Sequence, residues 1–467
     1  MSQIAGMKET VELAEAKSLL AEKIEDTLSS GNAGQSVLSG GGISQISIEM
    51  EPSISPLEWL KYCRVDSKIY WSDRTGKFEM AGAGECMLFT AESYESVESV
   101  IASASHLVRS SADGVRIYGG IRFPTSNGNG SDSDWAPFES CRFLVPRFQI
   151  IKSGQRAFLT ANLRESDRAD VRGIIRELEE KLAFENEKEN RVSEIISRTD
   201  QPTFENWESI ISSVIRDFSK GRIEKIVLAR QTTITFKEKC DALGLLARLS
   251  SATPRCYHYY FQPLNGLAFL GASPERLYFR KNRMIESEAL AGTRPRGESS
   301  ELDLKLGEEL LRNEKELREH KYVVDNIKAA LSVLCESYCV EKEAVLLKLA
   351  RLQHLQTEFK GRLRSDISEP DIIHSLHPTS AVGGFPSSAA QVRIAECESF
   401  DRGWYAGAVG WLGKDAAEFA VAIRSGLVKE KELKLFSGAG IIQGSTAKGE
   451  WDEIENKIGS FISAVTG

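Results

Sequence analysis

Hydrophobic residues recur at helical spacing near the start of the chain. Leu13, Leu20 and Ile24 follow one another at intervals of seven and four residues, which predicts an amphipathic helix over residues 7–28. Residues 29–45 are rich in glycine and serine, a composition typical of flexible linkers. We therefore predict that residues 1–45 form a helix and a flexible linker that precede the main fold.

The order of apolar runs, turn signals and helical stretches divides the rest of the chain into two segments. In residues 46–200, short apolar runs alternate with turn signals such as the loop at 126–130, so strands should predominate before a charged helical connector at 168–198. Strands and helices come in blocks rather than in strict alternation, which favours an α+β fold over a doubly wound one. The second segment, residues 201–467, is predicted to contain a strand at 223–236 and long helices at 301–333 and 448–464.

Composition narrows the class of protein. The 467 residues are 41% hydrophobic and 27% charged, which is typical of globular chains. The net charge of −8 disfavours nucleic-acid binding, and no run approaches the roughly 18 to 20 apolar residues that cross a bilayer. The first 26 residues contain six acids and no arginine, unlike targeting peptides. With eight scattered cysteines, read as reduced packing residues, this pattern predicts a cytoplasmic protein.

Two predicted helices each carry a pair of carboxylates. Glu450 and Glu453 share one face of the last helix with Lys457, and Glu316 and Glu319 share one face of the helix at 301–333. Two such pairs could assemble a site made of oxygen ligands, which suits Mg²⁺. Spacing alone favours solvated acids on surface helices, because glutamates three residues apart are common.

Lys225 lies in the predicted strand at 223–236, flanked by aliphatic residues. A lysine there usually extends its amine to water or pairs with an acid. The functional alternative is a general base. A free lysine amine has a pKa of about 10.4, so keeping it neutral at pH 7 costs about 4.6 kcal/mol, a cost that burial and nearby cations reduce.

Three short segments place polar or small residues at strand ends. Glu275 follows a predicted strand, at a position where catalytic groups often lie. Gly292 would let the backbone approach a ligand closely, and the hydroxyl of Thr293 could donate to a carboxylate. The small residues around Gly438 would expose backbone N–H groups suited to an anion. Each segment taken alone is equally compatible with an ordinary turn.

Taken together and in order, these segments resemble the chorismate-utilising enzyme family. The resemblance covers about residues 200–465 and implies layered antiparallel β-sheets flanked by helices. Two N-terminal segments, 118–123 (YGGIRF) and 135–138 (WAPF), are most similar to isochorismate synthases of the menaquinone and plant type. The other matching segments are 225–230 (KIVLAR), 273–277 (SPERL), 289–293 (ALAGT), 319–320 (EH), 323–325 (VVD), 353–355 (QHL), 377–384 (HPTSAVGG), 400–407 (FDRGWYAG), 422–424 (AIR), 438–441 (GAGI) and 450–453 (EWDE).

The resemblance implies a role for each matching residue. Lys225 corresponds to the base that activates water for attack at C2 of chorismate, and Glu275 to the acid that protonates the departing C4 hydroxyl. Glu319 and Glu453 correspond to Mg²⁺ ligands, with Glu316 and Glu450 beside them. The remaining matches are six contacts to substrate carboxylates, Gly292, Thr293, Tyr405, Arg424, Gly438 and Lys457, and the active-site histidine, His354.

The choice among family members rests on two positions. Ammonia-using anthranilate synthases resemble this chain but usually carry glutamine where Lys225 stands, and aminodeoxychorismate synthases carry a nucleophilic lysine at the position of Ala291. We therefore expect water as the nucleophile and isochorismate as the product. Salicylate synthase, which also eliminates pyruvate, is the nearest alternative, followed by anthranilate synthase component I or a non-catalytic chorismate-binding subunit. The chain is expected to be a monomer or a weak homodimer, without nucleic-acid or membrane partners.

Overall fold

The computed structural model describes residues 10–29, 40–124, 134–182 and 193–466. Most of the predicted linker at 29–45 and the loop at 126–130 lie outside the described residues, as does the middle of the predicted connector. The described helices are α1 (Leu13–Ser29), α2 (Pro56–Tyr62), α3 (Val97–Ser110), α4 (Val171–Lys181), α5 (Phe204–Phe218), α6 (Ala242–Ala252), α7 (Ser300–Arg312), α8 (Glu314–Leu334), α9 (Glu369–Leu376), α10 (Ser387–Cys397) and α11 (Ala447–Thr466).

Strands make up the larger part of the structure. Those before residue 240 are β1 (Ser44–Met50), β2 (Lys68–Ser72), β3 (Phe78–Ala91), β4 (Arg116–Ile121), β5 (Cys141–Ser153), β6 (Arg156–Leu163), β7 (Ile195–Gln201) and β8 (Lys225–Phe236). Those after it are β9 (Tyr257–Leu264), β10 (Leu267–Ser273), β11 (Arg276–Lys281), β12 (Met284–Pro295), β13 (Cys335–Lys348), β14 (Leu352–Leu363), β15 (Gly384–Phe385), β16 (Ala408–Gly413), β17 (Ala416–Val421), β18 (Ser425–Lys429) and β19 (Glu432–Ile442).

Every ladder between these strands is antiparallel. The paired order runs β7–β8–β19–β18–β10–β9–β2–β3–β5–β4–β16–β17–β11–β12–β14–β13. β6 and then β1 extend from the second half of β5, and β15 pairs with the start of β8. The predicted α+β class with antiparallel sheets and flanking helices is therefore confirmed.

The helix predicted at 301–333 is in fact two helices that meet at Asn313. The Asn313 side chain accepts a hydrogen bond of 3.1 Å from the backbone N–H of Glu316, which caps the start of α8. Asparagine favours this position because its side chain replaces a missing backbone acceptor. The break matters for the site, because the capped N–H belongs to Glu316, the first candidate metal ligand along the chain.

The predicted connector also differs from a single helix. Its described part contains α4, at Val171–Lys181, and the strand β7, at Ile195–Gln201, which pairs with β8 of the second segment. Two further ladders, β2 with β9 and β4 with β16, join the segments divided at residue 200. The sheet is therefore continuous across that division.

Two hydrophobic cores lie against this sheet. One contains an aromatic cluster in which Trp135 packs 5.3 Å from Phe269, and Phe138 packs 5.2 Å from Trp404, measured between ring centroids. The indole of Trp135 also donates to the carbonyl of Asp401. The N-terminal motif at 135–138 thus supports the loop at 400–407, which carries a candidate substrate contact.

The second core receives the N-terminal helix. Leu20 and Ile24 of α1 are fully buried against β1 and β6, and such burial contributes about 1.5–3 kcal/mol for each side chain. Lys17 donates to the carbonyl of Leu182 at 3.2 Å, near the end of α4. Helix α1 is therefore an integral part of the fold. Among the described helices, none combines the length and the apolar composition that a membrane span requires.

Candidate active site

A cleft opens where strands β8, β12, β14 and β19 meet helices α8 and α11. Lys225 is fully buried at its edge. Glu316 and Glu450 line an adjoining cleft, which shares Thr293 and Glu453 with the first. The other sequence-predicted residues line the first cleft: Glu275, Gly292, Thr293, Glu319, His354, Tyr405, Arg424, Gly438, Glu453 and Lys457.

Lys225 opens β8, where its backbone pairs with Ile442 of β19. Its Nζ lies 3.3 Å from Oε1 of Glu319. Space for this ion pair depends on Gly440, because a Cβ there would overlap Glu319 Oε1 and lie 3.2 Å from Lys225 Cε. Gly440 was not singled out from the sequence, although the 438–441 motif contains it.

Glu275 is a buried carboxyl that is protonated at neutral pH. Its backbone is fixed by a hydrogen bond of 3.2 Å to Ser273 Oγ. Burial raises its pKa to about 8, the charge of Glu288 acts in the same direction, and three cations oppose them. Among the described residues, Oε1 of Glu275 has no hydrogen-bond partner. Since the side chain also lines the cleft, it can give a proton to a bound ligand.

The carboxylates of helices α8 and α11 are each paired with a cation. We call Glu316, Glu319, Glu450 and Glu453 the carboxylate wall. The ion pairs are Arg294–Glu316 at 2.9 Å, Lys225–Glu319 at 3.3 Å, Lys315–Glu450 at 2.7 Å and Lys457–Glu453 at 2.7 Å. The cationic partners hold four negative charges together in a small volume, since unpaired buried charges are costly.

The carboxylate wall does not titrate uniformly. Burial raises the pKa of Glu319 to about 7 even though Lys225 opposes it, because Glu453 and Glu316 lie nearby. Burial also acts upward on the pKa of Glu453, but the charge and hydrogen bond of Lys457 outweigh it, and the pKa falls below its usual value. At neutral pH Glu453 is therefore ionised, whereas Glu319 is close to the midpoint of its titration.

By donor chemistry these four residues suit Mg²⁺. Carboxylate oxygens are its preferred protein ligands, and the buried Oε2 of Glu450 has no hydrogen-bond partner among the described residues. Within the described part of the chain, no three potential ligands converge closely enough to hold a metal as they stand. The ion pairs explain this spacing, because each carboxylate is turned toward its own cation.

His354 and Arg424 form the cationic end of the cleft. Arg424 Nη2 lies 2.6 Å from His354 Nε2, and His354 Nδ1 lies 3.2 Å from the carbonyl of Gly292. Since arginine can only donate, Nε2 must be the acceptor and Nδ1 the protonated nitrogen. Burial, then Arg424 and Lys457, lower the pKa of His354 well below its usual value. A neutral histidine thus orients a charged guanidinium.

The third side of the cleft is built from β19 and the loop before β16. Tyr405 stacks on Phe436 at 5.6 Å and 19°, and a Cβ on Gly438 would lie 2.8 Å from the Tyr405 hydroxyl. Lys457 Nζ donates to the carbonyl of Gly438 at 2.9 Å. The small residues of β19 therefore leave room for a ligand between an aromatic hydroxyl and a lysine.

The comparisons with known proteins agree with this arrangement. The family model described as "Chorismate binding enzyme" matches residues 34–466. The chain belongs to the chorismate-binding enzyme family. Among curated relatives, it is 32% identical to isochorismate synthase MenF of Bacillus subtilis, with 89% of this chain and 92% of that protein aligned. It is also 32% identical to the chloroplastic isochorismate synthase 2 of Arabidopsis thaliana, over 83% of this chain and 70% of that protein.

Solved structures of this family share the fold. MenF of Escherichia coli, described as the menaquinone-specific isochorismate synthase, superposes with a TM-score of 0.82 at 26% identity, covering 96% of this chain and all of that one. Anthranilate synthase component I of Streptococcus pneumoniae has a TM-score of 0.69 at 20% identity, covering 82% and 92% of the two chains. The second likeness concerns the fold alone.

Several residues of the cleft region were missed by the sequence analysis. Arg294, which pairs with Glu316, directly follows the 289–293 motif and could have been included with it. Lys315 pairs with Glu450 of another helix, and no local pattern indicates that contact. Glu288 influences the pKa of Glu275 from the neighbouring strand β12, a relation that only the tertiary structure reveals.

Proposed function

We propose that this protein is an isochorismate synthase, which converts chorismate into isochorismate. The observation that carries the proposal is a buried protonated carboxyl, Glu275, that lines the cleft, together with a buried amine, Lys225, at the cleft's edge, close enough for its charge to act on Glu275. An acid and a base in one site can expel a hydroxyl and activate a water within one reaction. The named relatives over most of the chain support the same activity.

In the proposed reaction, Lys225 first loses to solvent the proton that it carries in the resting ion pair with Glu319. The neutral amine then takes a proton from water as the water oxygen bonds to C2 of chorismate. The two ring double bonds shift, and the C4–O bond breaks. Glu275 gives its proton to the departing oxygen, which leaves as water. Lys225 is then protonated again and Glu275 holds one proton fewer, so uptake of a proton from solvent by Glu275 restores the starting state.

The anionic substrate needs positive charge around it. We propose that Arg424 and Lys457 bind carboxylate oxygens, while Thr293, Gly438 and the Tyr405 hydroxyl position them, since all five residues line the cleft. His354 would hold Arg424 in place through the Nε2 contact.

The carboxylate wall would hold Mg²⁺, with Glu319 and Glu453 as ligands and Glu316 and Glu450 beside them. When bound, Mg²⁺ supplies a positive charge that binds the C1 carboxylate of chorismate. Without it the substrate dianion would face the carboxylates of Glu319 and Glu453, so we expect turnover to require the metal.

Water as the nucleophile is supported by Ala291. Its methyl group lines the cleft where a nucleophilic side chain would be needed for an amine adduct. An alanine side chain cannot attack the ring. Ala291 thus argues against an adduct with an enzyme amine, and Lys225, which stands where ammonia-using relatives usually carry glutamine, argues against ammonia. Together they favour water as the attacking group and isochorismate as the product.

The test is product analysis with purified protein, chorismate and MgCl₂, with and without a chelator. We expect isochorismate only when Mg²⁺ is present. Lys225→Ala should lower kcat by about 10²- to 10⁴-fold while the protein still binds chorismate. Lys237→Ala is the matched control, because Lys237 follows the same strand but is exposed and pairs with Glu194. Salicylate and pyruvate as the products, or an unchanged kcat for Lys225→Ala, would overturn the proposal.

A further inference from the structure

Glu288 holds an unusually complete set of hydrogen bonds close to the proposed acid. Arg74 binds both of its oxygens, with Nη1 at 2.6 Å from Oε1 and Nη2 at 2.9 Å from Oε2. The backbone N–H of Arg276 donates to Oε1 at 2.8 Å, and Gln356 Nε2 donates to Oε2 at 2.8 Å. Four donors thus fix the position of this buried carboxyl.

Arg74 connects this carboxylate to the backbone beside Glu275. It lies in the turn between β2 and β3, and its Nη1 also lies 3.2 Å from the carbonyl of Pro274, the residue that precedes Glu275. Its guanidinium stands 5.7 Å from the ring centroid of Tyr257, which limits its freedom. A residue of the N-terminal segment thus holds the turn that carries the proposed acid.

The charged groups that act on Glu275 come from four elements. Lys225 of β8, Lys457 of α11 and Arg424 before β18 lower its pKa, whereas Glu288 of β12 raises it and adds to the larger effect of burial. Glu288 therefore opposes three cations. If that anion were lost, the balance would move toward an ionised Glu275, which cannot donate a proton at neutral pH.

The geometry points to Glu288 and Arg74 as positioning residues for the acid Glu275, with Glu288 supplying a fixed negative charge beside it and Arg74 holding both that charge and the Pro274 backbone. This inference rests on the proposed function, because it assumes that Glu275 donates the proton. Neither residue lines the cleft, so both act through Glu275 rather than on the substrate.

The two residues should have opposite effects on the pH profile. Glu288→Gln removes the anion, so the alkaline limit of kcat/KM should move down by about one pH unit, a loss of about tenfold on the alkaline limb. Arg74→Met leaves Glu288 without its cation, so the same limit should move up. Arg74→Lys restores the charge but not the two-point contact, so it should return the limit toward that of the wild type while kcat stays low.

The experiment measures kcat/KM for isochorismate formation from pH 6 to 10 in these variants, with thermal unfolding to show that each folds. Titration of ¹³C-labelled glutamate by NMR, with Glu275→Gln to assign the signal, follows Glu275 without substrate. Shifts of opposite sign in both measurements support the inference. It is overturned if folded Glu288→Gln and Arg74→Met leave both the limit and the NMR pKa in place. Failure of the wild type to form isochorismate would instead overturn the proposed function, and the NMR result would remain interpretable.

Discussion

The glutamates of the carboxylate wall and Glu275 carry the same carboxyl group but differ in the charges around it. Each glutamate of the wall lies within 3.3 Å of a lysine or arginine nitrogen. Glu275 has no such ion pair among the described residues, and burial beside Glu288 raises its pKa to about 8. Glu453, paired with Lys457, has a lowered pKa. The charges facing a carboxyl, rather than its residue type, thus decide whether it donates protons or binds cations.

The most damaging change to the wall should be Gly440→Ala. The added methyl would overlap Glu319 Oε1 and crowd Lys225, which displaces both groups from the cleft. Displacements of this size typically cost about 10²-fold in rate, so we expect kcat to fall by about that factor while the protein stays folded.

Steady-state kinetics and circular dichroism check this expectation. The control is Gly459→Ala, on the same helix as Glu453. A Cβ on Gly459 would lie 3.6 Å from Arg351 Nη1, which is an ordinary contact distance. Equal kcat values for the two variants would contradict the account of the Lys225–Glu319 pair.

A smaller effect is expected from removing a cation that pairs with a glutamate of the carboxylate wall. Lys315→Met removes the partner of Glu450, whose side chain is only 2% exposed. The freed carboxylate should bind Mg²⁺ more tightly, by about tenfold, because no protein cation competes for it and the wall is more negative. The same variant should melt at a lower temperature in chelator, since a buried charge loses its partner.

Isothermal titration calorimetry with MgCl₂ and thermal unfolding in EDTA measure these two effects. Lys321→Met on the same helix is the control, because Lys321 is exposed and its ion pair within the described chain is with Asp325, one turn away. An unchanged Kd for Mg²⁺ in Lys315→Met would show that Glu450 has no part in metal binding.

The smallest effect concerns burial alone, at a histidine outside the cleft that has no charged neighbour among the causes of its pKa shift. His258 is buried against Thr253, and burial lowers its pKa to about 4 from its ordinary value of 6.5. Between these two values the unfolded chain binds a proton that the folded protein does not. Stability should therefore fall as pH drops through this window, by up to about 1.4 kcal/mol per pH unit from this residue.

Urea unfolding at pH 7 and pH 5 measures this contribution. His258→Gln should show a smaller loss of unfolding free energy between the two pH values than the wild type. His106→Gln should behave like the wild type, because His106 is exposed on α3. If the two variants lost the same free energy, burial of His258 would not be the cause.

Helices and strands that are marked by their own run of hydrophobic residues were predicted well from the sequence. The strand predicted at 223–236 is β8, at Lys225–Phe236, and the helix predicted at 448–464 is α11, at Ala447–Thr466. The break at Asn313 was missed because hydrophobic periodicity continues across it, although asparagine as a cap was a visible signal. Strand order was not accessible, since pairs such as β4 with β16 join residues almost 300 positions apart.

The site shows the same limit. Glutamates three residues apart share a helical face, as expected, yet the structure turns Glu319 and Glu453 to the first cleft and Glu316 and Glu450 to the adjoining one. Lys315 of α8 pairs with Glu450 of α11, and Arg74, in the turn before β3, pairs with Glu288 of β12. Both ion pairs depend on tertiary packing. Motif resemblance found the residues of the cleft but not the charges that tune them.

The ladders across residue 200 have a consequence for dissecting this protein. A fragment ending there would leave β2, β4 and β7 with bare edges where β9, β16 and β8 should pair, and such edges promote aggregation. It would also lack the loop against which Trp135 packs. A catalytic fragment starting at residue 201 would in turn lose Arg74. Truncation is thus a poor route to a minimal enzyme, and two co-expressed halves would have to assemble through these strands.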